Sequence, residues 1–218
     1  MSAGQFLTFR KFSNEDVAGD LIAFLDEENI PYEVEENNIR ADITSLTVAS
    51  PFTKEISIKL RQEDFTRANT LWEEAINKQL NDVDKDYYLY SFTDEELTDV
   101  ITRPDEWSTF DFLLAQKIFR SRGADIKPEV INELKQNRLQ VLARPEESQA
   151  GWIVAGYLLA LAGGLLAIFI GWHLSTFKRT LPNGEQVFGY TETDRKHGKI
   201  ILLLGSISFI IWLWLRYK

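Results

Sequence analysis

The chain has 218 residues, a formal net charge of −9 and no cysteine. That leaves room for one soluble domain of usual size, or two small ones, beside a membrane anchor, and it removes disulfides, thiolate nucleophiles, Fe–S clusters and cysteine zinc sites. Residues 1–149 carry 30 acidic and 17 basic side chains, a balance of −13, and residues 150–218 carry 3 and 7, a balance of +4; so acidic a soluble part is ill suited to neutralising phosphates, and nucleic acid is not an expected partner.

The N-terminal stretch MSAGQFLTFRKFSNEDV lacks an apolar h-region, so the soluble part is expected to stay on the side of the membrane where it is made. Phe6 to Phe12 (FLTFRKF) reads as a strand, and Ser13-Asn14 offers helix caps. From Asn14 to Glu28, Val17, Ala18, Leu21, Phe24 and Leu25 recur at helical spacing and define one buried face. Asn29-Ile30-Pro31 ends that helix, because proline cannot continue it. Tyr32 to Glu35, Ile43 to Ala49 and Glu55 to Leu60 read as strands, the last with Ile56, Ile58 and Leu60 alternating. Gln62 to Leu80 closes the unit as a helix with Phe65, Ala68, Leu71, Trp72, Ala75 and Ile76 on its inner face.

FLTFRKF, the helix carrying Ala18 and Leu21, the NIPYEV turn into a strand, and ISIKL followed by EDFTRANTLWEEA together resemble the small domain of a family of prokaryotic signal-transducing proteins. Those proteins look like compact relatives of the PII regulator fold. The resemblance covers about the first 80 residues and departs from the family pattern at Asn29, where relatives usually carry glycine; asparagine also tolerates a left-handed conformation. It implies regulation or recruitment by a cytoplasmic module and transfers no catalytic residues.

Residues 81–87 form an acidic linker, and residues 88–147 a helical subdomain. Thr93 to Glu96 is a capping box opening a helix to about Ile101. Pro104-Asp105-Glu106 opens a second, running through Trp107, Phe110, Leu114 and Ile118 to a stop at Gly123, and Pro128 a third, ending near Ala143. DEWSTFD ahead of a C-terminal apolar hairpin is similar to bacterial two-span membrane proteins of this size.

Between Gly151 and Phe177 there is no Asp, Glu, Lys or Arg, more than the ~20 residues needed to cross a ~30 Å hydrocarbon core. The expectation is a transmembrane helix over 150–177, a connecting loop over 178–199 with a turn at Pro182-Asn183-Gly184, and a second span over 200–216. Trp152 and Trp172 are expected ~30 Å apart as the two edges of the membrane, with Lys199, Trp212, Trp214 and Arg216 anchoring the second span. Gly156, Ala160 and Gly164 lie on one row of the first span, and Gly163, Ala167 and Gly171 on the next, a pattern that lets helices approach closely. The lipid bilayer is therefore an expected partner, with self-association or a protein partner through the first span. The loop and the terminal flanks carry equal numbers of cations, so the unlikely export of an acidic domain decides orientation: both termini in the cytoplasm, at the inner membrane. A basic loop outside conflicts mildly with that choice.

Fingerprints for dinucleotide, phosphate, acyl-transfer and zinc chemistry are missing. His173 and His197 sit at the hairpin ends with no acidic cluster at ligand spacing, so neither metal nor cofactor is expected. Carboxylates such as Asp94, Glu95, Glu96, Asp105 and Glu106 crowd helix starts, where they complement the helix dipole. Asp111 and Arg138 break their helices' apolar stripes. Either they pair across two helices, or both lie at the stripe's edge and reach water. The expected architecture is α+β, a small ferredoxin/PII-like βαββα-type domain, then short helices, then a transmembrane helical hairpin. The expected role is a membrane-anchored, non-enzymatic regulator or scaffold, its small-molecule ligand unknown. The alternatives are an accessory subunit of a membrane transport or envelope complex, and an enzyme with an unfamiliar carboxylate site.

Overall fold

A computed structural model describes residues 5–39, 53–123 and 127–217; the strand expected over 43–49 lies outside them. The fold is mixed α+β and mostly helical, in two units: Met1–Val141 with Thr180–Glu185, and Leu142–Arg179 with Gln186–Lys218.

In the first unit, β1 (Phe6–Phe12), α1 (Glu15–Glu27), β2 (Tyr32–Ile39), β3 (Thr53–Arg61) and α2 (Phe65–Gln79) follow the chain. The sheet is antiparallel in the order β1-β3-β2, with Leu7 opposite Leu60, and Tyr32 also opposite Leu60. Alternation puts Ile56, Ile58 and Leu60 on one face, where they bury against Leu21, Leu25, Phe65 and Ala68. Asn14 caps α1, its side chain accepting from the Asp16 N–H at 2.8 Å, and Asn29 ends the turn at φ +53°, the left-handed conformation its short amide tolerates.

A second cluster gathers Leu80, Leu89, Leu97, Val100, Ile101, Phe112, Leu114 and Ile118 from α3 (Asp94–Thr102), α4 (Thr109–Ser121) and the chain before them, together with Ile131 of α5 (Pro128–Leu142). The Thr93–Glu96 capping box forms in full, and Gly123 ends α4 at φ +92°. The second helix starts later than the sequence suggests. Pro104 to Trp107 make a turn, and Ser108 caps α4 by accepting from the Asp111 N–H at 3.0 Å.

The second unit departs most from expectation. Residues 150–177 form two helices, α6 (Ala150–Leu161) and α7 (Leu165–Thr176), rather than one span. The break is Gly163-Gly164, both left-handed at φ +120° and +82°, a conformation other L-residues resist. The Gly164 N–H donates to the Leu159 carbonyl at 3.1 Å, and the chain reverses there, so that a Cβ on Gly156 would lie 3.3 Å from Ile170. A short hairpin of β4 (Lys178–Thr180) and β5 (Gln186–Phe188) turns at Gly184, and α8 (Glu192–Arg216) follows. Among the described residues α8 is the one helix long and apolar enough to cross a membrane, so the expected two-span hairpin is replaced by one such helix and a helical hairpin of half its length.

The hairpin is locked to α8 by glycine. Gly164 meets Gly205, and Gly171 meets Gly198, so the two helices run antiparallel with their backbones nearly touching. A Cβ on Gly171 would stand 2.5 Å from the Leu202 nitrogen, and one on Gly198 2.8 Å from Leu174 Cβ. Gly171→Ala is therefore expected to destabilise the second unit by about 1–3 kcal/mol, the usual cost of overpacking. Gly151→Ala, where a Cβ meets nothing within 4 Å, should leave it unchanged. Thermal unfolding of the two variants in detergent, compared with the unaltered chain, checks the contrast; equal midpoints would refute the close seam.

Candidate membrane interface

The second unit is packed inside out relative to a water-soluble bundle. Its interior is small: Gly156, Ala160, Ala167, Gly171, Gly198 and Gly205 are buried, with Leu174 and Ile201 as the larger members. Its large apolar side chains point outward, among them Trp152, Leu158, Leu161, Leu166, Phe169, Ile210 and Trp214. Leu161, at the hairpin tip, is 84% exposed. Soluble monomers rarely show so continuous an apolar surface, and small residues at helix seams are how helices associate where lipid removes the hydrophobic drive.

At the open end of the hairpin, polar contacts tie its two helices to the start of α8 and the chain ahead of it. Asp194, 1% exposed, accepts from the Gln149 N–H at 3.3 Å and from Ser148 Oγ at 3.4 Å, placing a carboxylate at the start of α6. Thr191 caps α8 by accepting from the Asp194 N–H at 3.1 Å. The Glu146 N–H donates to the Gly189 carbonyl at 2.8 Å, and Arg179 donates to the Arg144 carbonyl at 2.6 Å. Each histidine meets a tyrosine hydroxyl: His197 Nδ1 is 3.0 Å from Tyr157 Oη, and His173 Nε2 is 3.0 Å from Tyr190 Oη. Among the described residues no group of acids and histidines is placed to hold a metal ion.

The expected interface residues fall at two ends of the unit. Trp152 lies in the first turn of α6 and Trp172 near the end of α7, so both sit at the open end rather than at opposite edges. They share that level with Lys178, Arg179, Arg195, Lys196 and Lys199; Arg195 stacks on Phe188 at 3.3 Å from the ring centroid, and Lys196 pairs with Glu192 at 2.8 Å. The far end of α8 carries Trp212, Trp214, Arg216 and Tyr217, with Arg216 over the Trp212 ring at 5.4 Å. Of the two small-residue rows, Gly164, Ala167 and Gly171 face α8, Gly156 faces Ile201 and Ile170, and Gly163 serves the turn alone. Gly198 and Gly205 were missed. Their spacing of seven matches that of Gly164 and Gly171, which was the available signal.

In the first unit the Asp111–Arg138 pair does not form. Asp111, 8% exposed, accepts from Tyr87 Oη at 2.7 Å and Ser108 Oγ at 2.6 Å, so it neither meets an arginine nor reaches water. Burial and this carboxylate push the Tyr88 phenol up to about 12, and the same two causes raise Tyr87 further. Arg138 instead grips Asp105 with two parallel hydrogen bonds of 2.7 and 2.8 Å and reaches Glu106 at 2.6 Å. A cleft of about 300 Å³ between α2 and α4 has Lys78, Lys117 and Arg120 on its rim, with Lys117 already donating to the Leu80 carbonyl at 2.5 Å. On the sheet, burial lowers the Arg10 guanidinium from its usual value while Glu73 opposes the shift, and Arg10 donates to Asn69 Oδ1 at 3.1 Å. The Asn69 amide in turn donates to the Pro182 carbonyl at 3.2 Å, and Gly184 lies against the Phe65 ring, both within the first unit.

No family model, curated protein or solved structure matches the chain.

Burial by itself would raise the Asp105 carboxyl, but hydrogen bonds from Arg138 and the backbone, with the nearby Arg103 charge, hold it below the usual carboxylate range. The pair's stabilisation is thus fully present above that range and is lost as pH falls through the depressed value. Arg138→Ala should cost about 1 kcal/mol at neutral pH, discounted for partial exposure, and the loss should shrink on acidification. Thermal unfolding of the full chain across the acid range measures it; a pH-independent difference would remove the ionic account.

Proposed function

We propose that the chain is a membrane-anchored, non-enzymatic regulatory or scaffolding protein whose acidic α+β and helical module works at the cytoplasmic face of a bacterial inner membrane. The observation that carries this reading is the inverted second unit, with small residues inside and large apolar ones outside. In it α8 spans the bilayer while the hairpin of α6 and α7 dips in and returns to the side it came from. Residues 1–149 and the loop 178–191 then share one face, in keeping with the place of Thr180–Glu185 in the first unit. That face also collects Lys178, Arg179, Arg195, Lys196 and Lys199, so the positive-inside tendency and a cytoplasmic module agree. The mild conflict of an external basic loop disappears, and the C-terminus moves to the opposite side.

Among the described residues the first unit runs βαββα over an antiparallel sheet, and a sensing or recruiting role is assigned to it as part of this proposal. The subunit alternative was motivated by the glycine-rich helix as a docking face; its seam is filled by α8.

The natural absence of cysteine makes the test direct. Thr98→Cys, Asn183→Cys and Tyr217→Cys all fall at exposed positions and can be probed with a membrane-impermeant maleimide in intact and permeabilised cells. Cysteines at 98 and 183 should label only after permeabilisation, and one at 217 in intact cells. Labelling of position 183 but not 98 in intact cells would mean that the hairpin crosses the membrane. Co-purification in mild detergent addresses the role: a stoichiometric membrane partner would move the assignment to an accessory subunit.

A further inference from the structure

We propose that the α6–α7 hairpin is a one-leaflet wedge, through which the chain favours membranes that curve outward toward the face bearing its first unit, and bends them when concentrated. This rests on the membrane reading above and adds an activity to it. The occupant of the hairpin's apolar surface is the acyl chains of a single leaflet.

Depth is the first argument. From Trp152 to Leu161 the helix rises about 14 Å, and half of a ~30 Å hydrocarbon core is about 15 Å. The tip contacts α8 at Gly205, close to the middle of that helix, so the hairpin ends where the two leaflets meet. The second argument is cross-section. Along its first half α8 stands with α6 and α7, three helices in all, each about 10 Å across. Beyond Phe209, α8 continues without the hairpin. One leaflet must therefore accommodate roughly three helices and the other one, and that mismatch in area is relieved by bending. Thirdly, the wedge is fixed in depth. Lys178, Lys196 and Lys199 hold the open end at headgroup level, while Asp194 clamps the start of α6. The outer faces bear Leu158, Leu161, Leu166 and Phe169, each more than half exposed and none charged, as acyl chains require.

The full chain, purified in detergent, is incorporated from outside into a mixture of small sonicated and large extruded vesicles of phosphatidylcholine and phosphatidylglycerol. The two populations carry different dyes and are recovered by flotation. Several-fold enrichment per lipid on the small vesicles is expected, because their strained outer leaflet accepts a wedge. The companion variant combines Leu161→Asp with Leu166→Asp, two exposed positions whose change leaves the glycine seam untouched. It should still float through α8 but lose its size preference. Even distribution of the unaltered chain between floating vesicles overturns the wedge, and so does a preference that survives the tip charges. A chain that does not float overturns the membrane reading itself, an outcome distinct from the other two.

Discussion

Close approach of α7 to α8 is the constraint from which the second unit follows. Two glycines seven residues apart on each helix, 164 and 171 against 198 and 205, bring the backbones together and fix both register and antiparallel sense. A Cβ at 164, 171 or 198 would collide with backbone or Cβ atoms, and one at 205 would be tightly confined. Large residues are thereby forced outward, and the left-handed pair at 163 and 164 sets the hairpin's length by deciding where the chain turns. The outward apolar faces, the length of the hairpin and its antiparallel register are three readings of that single packing choice.

The first unit solves a different problem, that of packing a chain rich in carboxylates. Its carboxylates are distributed by task. Asp111 is buried and satisfied by hydroxyls, Asp105 is ionised in the fork of Arg138, and Glu73 meets Lys135 at 2.8 Å between α2 and α5. Those at helix starts complement the dipole.

Most of the first unit was legible because its elements announce themselves locally. The alternation through Ile56, Ile58 and Leu60, the Thr93 capping box and the Gly123 stop each need only neighbouring residues to interpret. The start of α4 was misread because Pro104 and the acids after it imitate a helix start, whereas Ser108 supplies the actual cap. Partner choice was beyond reach: Asp111 and Arg138 break their stripes for unrelated reasons, and periodicity says that a charge is buried without saying what satisfies it. In the second unit, length and apolarity dominated. A 27-residue uncharged run satisfies the rule for a span so well that the Gly163-Gly164 doublet, a turn signal in any polar context, was read as helix packing. Only the matching glycines of α8, some forty residues on, explain why the chain reverses there.

The segment 180–185 has a kinetic consequence. An isolated two-stranded hairpin is marginal in water, so β4 and β5 owe much of their order to Phe65 under Gly184 and to the Asn69 amide on the Pro182 carbonyl. That hydrogen bond joins residues 113 positions apart. Closing so long a loop costs entropy before it returns enthalpy, so this strap should be secured late, once the sheet and α2 already exist. The link between α7 and α8 thus takes its order from residues more than a hundred positions earlier in the chain, and it is completed only after they have folded.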